Sequence, residues 1–240
     1  MNKLTSKTIK KTILGVLISD GHLSKTPKSS RFDFYNKQKE YSEYIFKVLN
    51  NITNSGVILN EKNDKRFNTK GYRVFTKTHR YFDKLYSLFY KNSEKILSVE
   101  ILKKLDEEAL SHIWMCDGML HFNWKKQRND VQIHGYFCLE SFSKKELEDF
   151  IKMLKIKFDI EASLLKVIWG KGWRVKLGGK NLRKFISIIY PYVLNCFKYK
   201  CQLYYKNSDI LKELSNTEQF VTVYKNLSEI EDIVRTRRNS

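Results

Sequence analysis

A chain of 240 residues is long enough for one large core or two of about 100 residues each, and 42% hydrophobic residues with two prolines mark a folded protein. The formal net charge of +19 lies in the body: from Asn207 on there are five basic and six acidic residues, leaving 40 against 20 over residues 1–206, or +20. Such a body expects a polyanion, most often nucleic acid, while the lack of any run near ~18 apolar residues or of a secretory core in Met1–Lys7 argues against membrane and export and for an intracellular protein.

Residues 7–20 carry a helix pattern that stops at Asp20-Gly21, glycine being favoured just past a helix. After the polar loop 25–30, Arg31-Phe32-Asp33-Phe34-Tyr35 alternates as a half-buried strand does. Phe32 and Phe34 should face the core, with Arg31, Asp33 and Tyr35 outward. A helix is expected from Glu40 to Asn50, with Tyr44, Ile45, Val48 and Leu49 on one side. Gly56–Asn60 and Tyr72–Lys77 read as paired strands around a loop holding Lys62, Lys65, Arg66 and Lys70. A helix over 80–90 and a polar link over 91–95 follow.

The order then repeats. A second helix over about 106–117 ends at Asp117-Gly118, and Met119 to Asn123 is a short strand. A basic loop with Lys125 and Lys126 leads into a strand from Val131 to Glu140. Ile133, Phe137 and Leu139 should face inward there, and Gln132, His134 and Tyr136 outward. Ser143 with Glu146 three residues on forms a capping-box pattern for a helix reaching about Phe158. Strands near 160–168 and 172–177 and helices at about 180–190 and 196–206 close the unit. Gly71-Tyr72-Arg73-Val74 matches Gly172-Trp173-Arg174-Val175 at an offset of 101 residues. Each half therefore reads αββαββα, giving a mixed α+β protein with halves at 1–105 and 106–206 and an extension at 207–240.

Two nonapeptides, residues 13–21 (ILGVLISDG) and 110–118 (LSHIWMCDG), lie 97 residues apart. On the first helix Thr12, Gly15 and Ser19 share a small face; on the second, Ala109, His112 and Cys116 do. If these faces pack together, Asp20 lies beside Asp117 at helix ends that already carry partial negative charge. Either one carboxyl stays protonated or divalent cations bind, and hard oxygen ligands suit Mg²⁺ or Mn²⁺, with the backbone at Gly21 and Gly118 close by. Metal held between carboxylates and a phosphodiester is a route to strand cleavage. One Asp-Gly pair is simply a helix stop; two at matching places in a repeat of a +19 chain point to chemistry. His112 and Cys116 stand four apart on one helix face, where interface packing is favoured over metal ligation. Cys116, Cys138, Cys196 and Cys201 lack zinc spacing and are expected as thiols.

On these two motifs and the repeated order, about residues 10–206 resemble the LAGLIDADG homing endonucleases of the single-chain, two-motif kind. The resemblance implies motif helices at the interface between halves and saddle-shaped antiparallel sheets that grip DNA. It implies metal binding at Asp20 and Asp117, and a basic residue near each active centre. By position these are Lys95 and Lys200, with Lys91 and Lys198 as competitors. The family's glycine is kept as Gly15 and replaced by His112; its internal acidic position is Ile18 and Met115.

The candidates for contact with double-stranded DNA are Arg31, Asp33, Tyr35, Arg66, Arg73 and Lys77 in the first half. In the second they are Lys125, Lys126, Gln132, His134, Tyr136, Arg174 and Lys176. Strand residues are placed to read base edges, loop lysines to grip phosphates. The expected activity is hydrolysis of a long, asymmetric site by a monomer. The alternatives are a maturase that assists splicing of intron RNA, and a DNA-binding regulator without cleavage.

Overall fold

The computed structural model of the chain describes residues 4–54, 56–64, 69–125, 130–167 and 172–203. The first half runs α1 (Ser6–Ile18), β1 (His22–Lys25), β2 (Ser30–Asn36), α2 (Lys39–Thr53), β3 (Val57–Asp64), β4 (Thr69–Thr76) and α3 (Arg80–Phe89). A two-stranded hairpin, β5 (Tyr90–Lys91) and β6 (Glu94–Lys95), and the short α4 (Val99–Lys103) follow. The second half runs α5 (Glu107–Asp117), β7 (Gly118–Lys125), β8 (Asp130–Phe137), α6 (Lys144–Phe158), β9 (Ser163–Lys166), β10 (Trp173–Gly178) and α7 (Gly179–Ile189). The two sheets are antiparallel and share one topology, β1-β2-β4-β3 and β7-β8-β10-β9.

The alternation in the strands sets one face of each sheet against helices. Phe32, Phe34 and Val74 point inward together because β2 and β4 pair Phe34 with Val74. Phe137 and Val175 do the same across β8 and β10. All five side chains are buried. The shared Gly-aromatic-Arg-Val stretch thus marks the same place in both sheets: Val74 and Val175 inward, Arg73 and Arg174 outward. At α6, the Ser143 hydroxyl accepts from the Glu146 N–H while the Glu146 carboxylate accepts from the Ser143 N–H, completing the capping box.

The halves meet along α1 and α5, through the small faces seen in the sequence. Thr12, Gly15, Ala109 and His112 are buried there, and a Cβ built on Gly15 would lie 2.7 Å from the His112 Cβ and closer still to the Ala109 carbonyl oxygen. Leu14, Leu17 and Ile18 enter the core on one side, Ile113, Trp114 and Met115 on the other.

Two expectations change, and one helix was not foreseen. The polar link at 91–95 is the β5–β6 hairpin, turned by Asn92 and Ser93 at positive φ. The α-helix expected at 196–206 is a 3-10 segment, Asn195–Cys201, because α5 claims its backbone: the Trp114 indole N–H donates to the Lys200 carbonyl at 3.0 Å. The helix α4 had no expectation; Ser98 caps it and Ile101 and Leu102 are buried beneath it. The extension 207–240 lies outside the described residues.

Candidate active site and nucleic-acid interface

Both motif helices end where a backbone N–H turns back onto the last carbonyls. The Gly21 N–H donates to the Val16 carbonyl at 2.7 Å, and the Gly118 N–H caps the Trp114 carbonyl. A Cβ on Gly118 would clash with that carbonyl and with the Trp114 indole, so the chain needs glycine to leave the helix so tightly. The residue before each glycine is left at the helix end. That is how a helix-stop pair delivers Asp20 and Asp117 to one place.

The two carboxyls feel each other. Desolvation raises the Asp117 pKa to about 7, with Asp20 the next cause, while Lys200 and Lys95 oppose the shift. Asp20 is raised less, because Asn36 and Cys116 hydrogen-bond its carboxylate against the same desolvation. The Asn36 amide lies 3.1 Å from it. By surface Asp20 is exposed, yet protein atoms crowd it on most sides. The crowding governs its charge, because a carboxylate loses hydration to nearby walls even when one side is open.

Lys95 and Lys200 occupy matching positions. The Lys95 ammonium donates to the Ser19 and Gly21 carbonyls at 3.1 and 2.8 Å, and the Lys200 ammonium to the Met115 and Cys116 carbonyls at 2.8 and 3.0 Å. Each cation satisfies the free carbonyls of one motif helix and adds positive charge beside both aspartates. Burial lowers both lysine pKa values, and the aspartates push them back up. Of the competitors, Lys91 is exposed and Lys198 reaches over the Tyr190 ring. Among the described residues no three His, Cys, Asp or Glu side chains cluster in a metal-holding group.

The outward faces of the sheets hold most of the proposed DNA contacts. Arg31 is exposed and Tyr35 is 37% exposed. The Arg73 guanidinium is paired with the Asp33 carboxylate beside it, and Arg174 with Glu140. Lys77 is exposed just past β4, and Gln132, His134 and Lys176 share the outward face of β8 and β10. Tyr136 sits on that face opposite Lys176 but is only 8% exposed, so it is a buried wall more than a free contact; His121 packs on it edge-on at 6.2 Å. Lys62 is exposed, and Lys70 pairs with Glu61 at 3.0 Å. Arg66, Lys65, Lys126 and the side chain of Lys125 lie outside the described residues.

Sequence reasoning missed Asn36, Glu140, Tyr41 and Tyr90. The Tyr90 hydroxyl accepts from the Leu23 N–H and lies 3.0 Å from His22 Nδ1, which fixes the His22 ring at the start of β1. No local pattern signals these partners, since each is joined to its site across a fold, not along an element.

The model of the LAGLIDADG DNA endonuclease family matches residues 10–185. "Probable intron-encoded endonuclease 1" of Wickerhamomyces canadensis is 28% identical over 200 residues, covering 81% of this chain and 84% of that protein. "Intron-encoded endonuclease ai4" of Dictyostelium discoideum is 27% identical over 176 residues, covering 70% and 96%. Among solved structures, the homing endonuclease I-WcaI bound to its DNA recognition sequence aligns with a TM-score of 0.70 at 25% identity, covering 85% of this chain and 89% of that one.

Proposed function

Because the chain belongs to the LAGLIDADG DNA endonuclease family, we propose that it is a homing endonuclease that cuts both strands of a long, asymmetric double-stranded DNA site with Mg²⁺ or Mn²⁺. The observation that carries this reading is the meeting of Asp20 and Asp117 at the ends of two packed helices, each end neutralised by its own lysine. The name of the relative "intron-encoded endonuclease" and the DNA-bound structure of I-WcaI support it.

The donor set fits a divalent cation. Two hard oxygen ligands sit where burial pushes both toward the neutral form and the charge of Asp20 pushes Asp117 further, and a cation between them relieves that cost. The lysines spend hydrogens on helix carbonyls, which leaves the carboxylates free to ligate. When bound, the metal would activate water and stabilise the leaving oxygen of the phosphodiester. Lys95 and Lys200 would add positive charge toward the phosphate and organise its water, and the outward sheet residues would set the register on the duplex.

Both active centres come from one chain, with residues 1–105 and 106–206 supplying one half each, so a monomer suffices. The halves differ in sequence, which makes the target asymmetric. Site-specific cleavage is tested with DNA spanning an uninterrupted copy of the gene that hosts this reading frame. Wild type should give Mg²⁺-dependent double-strand breaks, and Asp20→Asn or Asp117→Asn should reduce them below detection. Unchanged double-strand cleavage by Asp20→Asn would sink the assignment.

A further inference from the structure

The end of α1 delivers a second polar side chain besides Asp20. Past Gly21 the chain enters β1 at His22, which is exposed. His22 pairs with Asp33 across β1 and β2, and side chains opposite each other in a sheet share a face. The imidazole therefore lies on the outward face with Asp33 and its partner Arg73. On its other side is the first active centre: the carbonyl of Gly21, the residue before it, accepts from the Lys95 ammonium at 2.8 Å. His22 thus stands where the sheet surface meets the Asp20 end of α1.

The ring is held by Tyr90. That tyrosine is 8% exposed and stacks on Tyr86 with ring centres 4.6 Å apart, and the His22 ring meets it edge-on at 5.7 Å. The Tyr90 oxygen accepts the Leu23 N–H at 3.0 Å and lies 3.0 Å from His22 Nδ1. A tyrosine has one hydrogen to give, and giving it to Nδ1 satisfies both groups. Were Nδ1 the donor instead, the hydroxyl hydrogen of a nearly buried tyrosine would have no partner among the described residues. With Nδ1 accepting, the ring hydrogen stands on Nε2, and no described residue accepts it. The second half has Met119 at the matching place, one residue past Gly118, paired with Tyr136 and 37% exposed.

We propose that His22 is a further DNA contact of the endonuclease: its Nε2–H donates to a phosphate oxygen beside the scissile linkage at the Asp20 end, and Tyr90 is its positioning residue. A phosphate is the acceptor that fits this place. Cleavage needs a phosphodiester at the Asp20 carboxylate, and His22 is two residues along the chain from it. A charged oxygen rewards a fixed N–H donor more than a neutral base edge does, and such contacts set position without reading sequence. Met119 has no hydrogen to donate, so the second half holds its strand without this bond.

The inference rests on the reading of Asp20 as a metal-binding carboxylate of a DNA endonuclease. It is tested with full-length protein bound, in chelator, to the duplex it cuts and to duplexes carrying one neutral methylphosphonate at a time across the cut. His22→Met, the residue that β7 carries at the matching place, should weaken binding of the unmodified duplex about 10-fold, the scale of one hydrogen bond to a charged group. It should also be indifferent to one methylphosphonate that weakens wild type, next to the linkage cut at the Asp20 end, while feeling the others as wild type does. Tyr90→Phe should weaken the unmodified duplex about threefold, with a reduced loss at that same linkage. In wild type, nitrogen-15 shifts of the His22 ring should show hydrogen on Nε2, a measurement that needs no variant. Hydrogen on Nδ1 alone would overturn the proposal. So would wild-type affinity in His22→Met, sensitivity of that variant to every linkage that wild type feels, or a loss that follows one base pair instead of one phosphate. Cleavage by wild type and none by Asp20→Asn keeps the endonuclease reading whatever His22 does. A duplex left uncut by wild type would overturn that reading, and the proposal with it.

Discussion

His112 fills the room that Gly15 leaves. At the crossing of α1 and α5, one helix gives up its side chain and the other supplies an imidazole in its place. A pseudo-symmetric pair would have glycine on both sides. Here the pair is complementary instead, and the histidine uses the space to bond Thr12 and Tyr41.

Gly15→Ala should therefore be costly. Its methyl would meet the His112 Cβ at 2.7 Å and the Ala109 backbone, neither of which is the far end of a flexible chain. Overpacking of this sort costs about 1–3 kcal/mol. Urea unfolding should show that loss, and a change under about 0.5 kcal/mol would mean that the helices can slide apart freely.

Asp117→Asn should stabilise the metal-free protein while removing cleavage. Asp117 has a folded pKa of about 7 against an ordinary value of 3.8, so ionising it costs the folded state stability as pH rises through that window. Above pH 7 the asparagine variant should be more stable by about 1–3 kcal/mol once solvent screening is allowed for, and the gain should vanish below about pH 4. Thermal melts across this range in chelator check both limits.

His112 works in the opposite sense. Its folded pKa of about 3 lies under the ordinary 6.5, so its contribution is full above 6.5 and is lost as pH falls below that value. Between about pH 4 and 6.5 the two slopes oppose in the wild type. In Asp117→Asn the largest opposing slope is removed, leaving that of Asp20, and stability should drop by up to about 1.4 kcal/mol per pH unit on acidification. A flat profile in that variant would place the His112 ring in contact with water.

Lys200→Met should lower single-turnover cleavage about 100-fold, the scale of removing one preorganised charge from an active centre. Lys198→Met should leave it within about threefold. The distinction follows from their ends: Lys200 reaches the Met115 and Cys116 carbonyls beside Asp117, while Lys198 lies over Tyr190. A larger loss from Lys198→Met would reverse the assignment.

Arg73 is aimed by Asp33. Arg73→Ala should relax discrimination at one position of the target by about 1–3 kcal/mol. Lys62→Ala, which removes an exposed strand cation, should weaken all duplexes alike and reduce the salt slope by about one. Binding titrations on single-substituted duplexes at several salt concentrations separate the two.

Much of this molecule is written locally. Periodicity marked the repeated element order, the inward phenylalanines of β2, the capping box at Ser143 and the small faces of the motif helices, because each depends on residues a few positions apart. The Asp-Gly stops placed Asp20 and Asp117, and the family resemblance pointed to Lys95 and Lys200. What tertiary structure alone decided are the contacts between distant stretches: Asn36 on Asp20, Glu140 on Arg174, and the line from Tyr44 through His112 and Tyr41 to Cys116. The sequence marks Gly15 and His112 as unlike; only packing two helices against each other shows that they fit, because complementarity is a property of two surfaces in contact and not of either pattern alone.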